Sequence, residues 1–151
     1  MPRIYCDANP STVAYVIDGG GSGYQYLPDG HTSMEAEYLA IIFGLGAFYI
    51  KWNKELDARQ GDLDVEKLRA TGEEDFAKVI SPSDETPRQL PPPILICSDN
   101  EVVVKQLSRQ YSIGNSRLRK LAQRVWQMTE KVEVTYQWIP RADNLAGKML
   151  K

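Results

Sequence analysis

The stretch that most constrains this chain is Ile94-Leu95-Ile96-Cys97, followed at once by Ser98-Asp99-Asn100. An apolar run of this kind has no face to give to water. It reads as a strand covered on both faces, in the middle of a layered sheet. The run ends on a carboxylate, and a helical pattern from Glu101 to Gln110 follows. A strand of this sort needs neighbouring strands and covering helices, so the chain is expected to be an α/β layer structure.

The remaining segments supply those elements. Arg3 to Ala8 and Thr12 to Ile17 read as strands, the second rich in β-branched residues, and Tyr24 to Leu27 as a third. The glycine run from Gly19 to Gly23 lies between two strands and lacks the spaced third glycine and following helix of a phosphate loop, so it reads as a hairpin turn. Thr32-Ser33-Met34-Glu35 fits a capping box, with Thr32 as N-cap. The helix it opens carries Tyr38, Ile41, Leu45, Phe48 and Tyr49 at helical spacing and runs to Asn53 or beyond.

Ser116 to Lys131 is a longer amphipathic helix, Val132 to Ile139 an alternating strand, and Leu145 to Lys151 the start of a last helix. The order is β-β-β-α-(insert)-β-α-α-β-α. The insert, residues 54–93, is charged and ends in Pro91-Pro92-Pro93. Short helices are expected at Leu63 to Ala70 and Glu73 to Ile80. The segment has too few apolar residues for a core of its own, so residues 1–151 read as one domain carrying an insertion.

Composition narrows the function. The chain has 151 residues and two cysteines, both within apolar runs and expected to be buried thiols of a reducing compartment. One histidine and no paired-cysteine spacing argue against zinc. No uninterrupted apolar run nears the ~20 residues that span a bilayer, and the N-terminus does not read as a signal peptide. A cytoplasmic monomer is expected.

The net charge of −2 conceals an uneven distribution. Residues 54–88 hold six Lys/Arg and ten Asp/Glu, whereas residues 103–141 hold eight Lys/Arg against Glu130 and Glu133. The basic segment suits a phosphate backbone, and equally a solvated helix face.

The chemistry rests on acids set in apolar surroundings. Asp7 lies within Ile4-Tyr5-Cys6-Asp7-Ala8 and Asp99 ends the central strand. Burying a lone charge is costly. Asp99 has an alternative use as the N-cap of the helix after it, but no helix follows Asp7. Carboxylates gathered at one sheet end make sense if a hard, oxygen-seeking cation such as Mg²⁺ neutralises them.

These residues resemble type 1 ribonuclease H. Asp7 in the first strand, the helix start Thr32, Ala36, Glu37, Tyr38 and Ala40, the segment Ser98, Asp99, Val103 to Leu107, and the terminal Pro140, Arg141, Asn144 and Ala146 all match its motifs in order. The resemblance covers nearly the whole chain outside residues 54–93. It implies a ribonuclease H-like fold, a five-stranded mixed sheet with helices on both faces. It implies hydrolysis of the RNA strand of an RNA–DNA hybrid with two Mg²⁺ or Mn²⁺ ions, held by Asp7, Glu37 and Asp99. Glu37 is preferred over Glu35, which already has a capping role, and it shares a helix face with Ala40, Ile41 and Gly44.

The resemblance further implies a product-releasing role near Arg141. It implies substrate contacts at Ala8, Asn9, Thr32, Ser33, Asn100, Asn115 and Asn144, with Arg117, Arg119, Lys120 and Arg124 along the DNA strand. The chain departs from the family pattern at the fourth carboxylate, where Gly147 or Lys148 stands and Asp143 is the nearest substitute. Ser33-Met34 replaces a pair of asparagines, and the glycine-rich stretch after the first aspartate is reduced to Asn9-Pro10-Ser11. A weakened, purely nucleic-acid-binding module is the alternative function. Topology places the insertion at the sheet end opposite the carboxylates.

Overall fold

The computed structural model describes residues 1–71 and 87–150, and of residues 59–71 the backbone alone. Five strands form one mixed sheet in the order β3-β2-β1-β4-β5. They are β1 (Arg3–Asn9), β2 (Thr12–Ile17), β3 (Ser22–Tyr26), β4 (Ile94–Ser98) and β5 (Val134–Trp138). The first three make the antiparallel meander, and β4 and β5 add in parallel. The apolar ILIC run is central, with Ile94, Ile96 and Cys97 at most 2% exposed.

Helix α1 (Ser33–Thr71) lies across β1 and β2 and packs against α3 (Ser116–Met128). Gly44 makes the close approach possible: a Cβ there would stand 3.0 Å from Ile4 Cγ2 and 3.2 Å from Cys6 Sγ. Tyr38, Ile41, Leu45 and Tyr49 line the buried side. Two buried tyrosyl hydroxyls tie α1 to its neighbours, Tyr49 donating to the Met128 carbonyl at 2.9 Å and Tyr38 to Gln106 Oε1 at 2.6 Å.

Four expectations need correction. First, α1 does not give way to short helices after Asn53 but continues unbroken through Leu63 to Ala70. High charge is not a helix breaker, and residues 54–71 are mostly good helix formers that tolerate Gly61. The expected helix at Glu73 to Ile80 lies outside the described residues. Second, α1 is long and apolar enough over Ser33–Ala58 to cross a membrane by length and composition. That apolarity serves its packing against the sheet and α3, which counting uninterrupted apolar runs had not revealed.

Third, the last element is a 3₁₀ segment, Leu145–Leu150, and not an α-helix. It packs on β1 and β2 from the Asp7 side, while α1 covers the Ile4, Cys6 and Tyr15 side. Helices therefore cover both faces, and on this second face the cover among the described residues is the 3₁₀ helix. Fourth, the helix after β4, α2 (Glu101–Leu107), is shorter than Glu101 to Gln110. Arg109 adopts a left-handed conformation at φ 64°, and Gln110 N–H reaches back to the Lys105 carbonyl at 2.8 Å. That is a helix-ending geometry usually given to glycine. Here the Arg109 guanidinium sits 3.9 Å over the Trp126 ring.

The described flank of the insertion after residue 86 meets α1 near its middle, well away from Glu37. Trp52 Nε1 donates to the Gln89 carbonyl at 2.9 Å, and Arg88 N–H donates to Asn53 Oδ1 at 2.9 Å. Asn53 is sixteen residues along the helix from Glu37, roughly 24 Å at the α-helical rise.

Candidate metal centre

Strand register brings two of the acids together. In the parallel pair β1–β4, Cys6 stands opposite Ser98, so Asp7 and Asp99 are the next residues on each chain. Glu37, in the second turn of α1, completes the group. One carboxylate oxygen from each of Asp7, Glu37 and Asp99 lies within 4.8 Å of the others. Asp7 is 2% and Glu37 9% exposed, and the Asp99 side chain 11%.

Two charges at that spacing repel by about 3–4 kcal/mol at an effective dielectric of about 20, and here three pairs repel at once. Glu37 Oε2 and Asp99 Oδ2 are buried with no hydrogen-bond partner. Asp7 Oδ1 accepts from Ala8 N–H at 2.9 Å. Arg141 makes an ion pair with the group, its Nε standing 4.0 Å from Asp99 Oδ2 on a side chain 87% exposed. Burial, reinforced by Asp99, raises the Asp7 pKa to about 6. Burial, then the Asp7 and Asp99 charges, raises Glu37 to about 8. Orphaned buried oxygens in an all-carboxylate donor set are what a hard divalent cation would satisfy.

Glu35 behaves in the opposite way, as the choice between the two glutamates required. Its backbone N–H donates to Thr32 Oγ1 at 3.1 Å, and its carboxylate meets Arg117 at 3.0 Å and His31 at 3.3 Å. Burial pushes its pKa up, but His31, Arg117 and Thr32 outweigh it and the pKa is lowered. The capping role of Asp99 falls away too: Asn100 caps α2, its Oδ1 accepting from Val103 N–H at 3.1 Å.

The other expected site residues divide. Ala8, Asn9, Arg141 and Asn144 line a recess beside Asp7. Ala8 N–H is already engaged by Asp7, and Asn9 Oδ1 accepts from Ser11 N–H and hydroxyl, both at 2.9 Å. Asn144 is 1% exposed, with Nδ2 donating to the Cys6 carbonyl at 2.9 Å and Oδ1 accepting from Ala146 N–H at 3.1 Å. Its side chain holds the terminal segment on β1.

Thr32 and Ser33 are exposed at the start of α1, and Asn115 caps α3 through bonds from Arg117 and Leu118 N–H. Arg119 is turned onto the Ile113 carbonyl at 3.0 Å. Lys120 and Arg124 are exposed on the same helix. Asp143 is exposed and does not join the three clustered acids. The fourth-carboxylate position is instead taken by backbone: a Cβ on Gly147 would stand 2.8 Å from Asp7 Oδ2. Sequence reasoning named Gly147 as a departure but had no signal for this contact.

Residues 89–150 match the family described as Reverse transcriptase-like. No curated protein matches the chain in sequence. Among solved structures, the chain is similar to LC11-RNase H1 in complex with an RNA/DNA hybrid, with TM-score 0.64 and 17% identity over 98% of this chain and 92% of that one. RNase H1 of the halophilic archaeon Halobacterium salinarum gives 0.61 and 19%, over 99% and 92%. The N-terminal RNase H domain of a Mycobacterium tuberculosis protein, solved as a fusion with maltose binding protein, gives 0.58 and 19%, over 97% and 88%. At these identities the likeness establishes the fold.

Proposed function

We propose that this chain, ribonuclease HI-like in fold, is a metal-dependent endonuclease that hydrolyses the RNA strand of RNA–DNA hybrids. The observation that carries the reading is the largely buried triad Asp7, Glu37 and Asp99, with two carboxylate oxygens lacking any hydrogen-bond partner. Support also comes from the hybrid bound to LC11-RNase H1.

Asp7, Glu37 and Asp99 would hold Mg²⁺ or Mn²⁺, two ions by the resemblance. Such ions, when bound, supply activation of a water and charge stabilisation at the scissile phosphate. The protein's own part is positional. Strands β1 and β4 fix Asp7 and Asp99 side by side, and α1 presents Glu37 from a rigid core helix. Preset carboxylates need no reorganisation when substrate arrives. Arg141, at the mouth of the site, offers a guanidinium to a phosphate oxygen. RNA is told from DNA by its 2′-hydroxyls, reached across the wide minor groove from the start of α1.

A second reading, a binding module with weakened catalysis, is favoured by one observation: Gly147 backbone fills the place beside Asp7 where a fourth acid was expected. Cleavage of an end-labelled hybrid with Mg²⁺ or Mn²⁺, beside an Asp7→Asn control, separates the two. RNA-strand cleavage lost in the control is the expected result. Folded protein that binds hybrid without cutting it would leave the binding module.

A further inference from the structure

We propose that Lys148 is a phosphate-contacting residue, so that this site meets its substrate with a cation next to the place where a fourth carboxylate was expected and Gly147 backbone stands. The inference rests on the hydrolytic reading above and names how that site grips the backbone. The recess beside Asp7 has a volume of about 440 Å³, within the range of nucleotide-sized sites. Its wall is closed by Gly147, whose missing side chain lets backbone abut the Asp7 carboxylate. The next residue, Lys148, lines the same recess, and so does Arg141.

Lys148 is exposed and makes no ion pair or hydrogen bond among the described residues. It is not a free-floating tail position. The segment carrying it is anchored by buried Asn144, which bonds both the Cys6 carbonyl and Ala146 N–H. The recess therefore holds a fixed carboxylate on one side and two cationic side chains on the others. A neutral ligand gains little from that arrangement. A nucleic-acid phosphodiester, charged at every working pH and purely a hydrogen-bond acceptor, can meet Lys148 and Arg141 while its scissile oxygens face Asp7.

Binding of a fluorescent RNA–DNA hybrid in EDTA, titrated over salt concentration, tests this without loaded metal. Each phosphate contact contributes about 0.9 to the slope of log affinity against log salt. Lys148→Gln is expected to reduce that slope by about one and Lys148→Arg to restore it. Lys131→Gln, an exposed lysine near the other sheet end, is expected to leave it unchanged. Thermal melts of each variant confirm folding. An unaltered slope in Lys148→Gln, with wild-type protein binding hybrid, overturns the proposal and leaves the hydrolytic reading intact. Wild-type protein that does not bind hybrid in EDTA overturns the proposal, and cleavage in Mg²⁺ or Mn²⁺ then decides the hydrolytic reading by itself. Binding with the expected slope change but no cleavage in Mg²⁺ or Mn²⁺ supports Lys148 and removes the hydrolysis.

Discussion

The two ends of the sheet solve opposite problems. Near the start of β4, where chain returns from the insertion, polar groups of α1 and of the returning chain are matched with one another. Asn53, 2% exposed, accepts from Arg88 N–H, Trp52 donates to Gln89, and Arg88 reaches Asp57 at 2.6 Å. At the other end of the same strand, three acids converge with two oxygens unpaired. One end is arranged for stability. The other carries a repulsion that bound protons or an outside cation relieve, and such a perturbed group is a pointer to function.

The sharpest way to break this comparison is one substitution at each end. Glu37→Gln removes a buried charge without changing shape. Hybrid hydrolysis is expected to fall at least about a thousandfold, some 4 kcal/mol of barrier. The metal-free melting temperature is expected to hold or rise, because a repelling charge has gone. Asn53→Ala should do the reverse, costing about 1–3 kcal/mol by stranding the Arg88 N–H, with hydrolysis per folded molecule retained. Chemical denaturation alongside a cleavage assay reads both. A metal-free Glu37→Gln protein clearly less stable than wild type would show that Glu37 is a structural residue.

Much of this contrast was legible in the chain itself, and the reasons are local. Asp7 and Asp99 stood out because a carboxylate within an apolar strand violates its own surroundings. Glu37 was separable from Glu35 because the capping pattern Thr32 to Glu35 assigns one acid and frees the other. The limit lay in contacts with no local pattern. Nothing around Gly147 announces that its backbone rests on Asp7, 140 residues earlier. The bond from Asn144 to the Cys6 carbonyl is equally remote in sequence and equally unannounced. The end of α2 was misplaced because Arg109, stacked on Trp126, occupies a position where glycine is the usual signal. The unbroken run of α1 was missed because a change in charge was read as a boundary.

A smaller effect, and a sharper one, lies in pH. Asp7 and Glu37 are raised to about 6 and about 8, so the metal-free fold favours their protonated forms. Their contribution to stability is fully present below the unfolded carboxylate range, near pH 4, and is lost as pH rises through 6 and then 8. The metal-free melting temperature should therefore decline from about pH 5 to about pH 9. Protons and metal compete for the same oxygens, so the stabilisation conferred by Mg²⁺ should grow over that window. Melting curves with EDTA and with Mg²⁺ across the range show whether the gap widens. A constant gap would mean that metal binds elsewhere.

The smallest effect is the most discriminating about the two glutamates. Glu35 is lowered, because His31, Arg117 and Thr32 together overcome its burial, so its contribution is present above the unfolded carboxylate range and fades as pH falls. Its sign is opposite to that of Glu37, two residues away on the same helix. Glu35→Gln keeps the size of the side chain and a hydrogen bond to Thr32 while losing the pairing with Arg117. Arg117 is largely exposed, so solvent screens the pair, and a drop of a few degrees at most is expected, with hybrid cleavage unchanged. The test is a cleavage assay on Glu35→Gln beside Glu37→Gln. If Glu35→Gln instead abolishes cleavage, the metal-holding acid on α1 has been assigned to the wrong turn, and the orphaned oxygen of Glu37 needs another explanation.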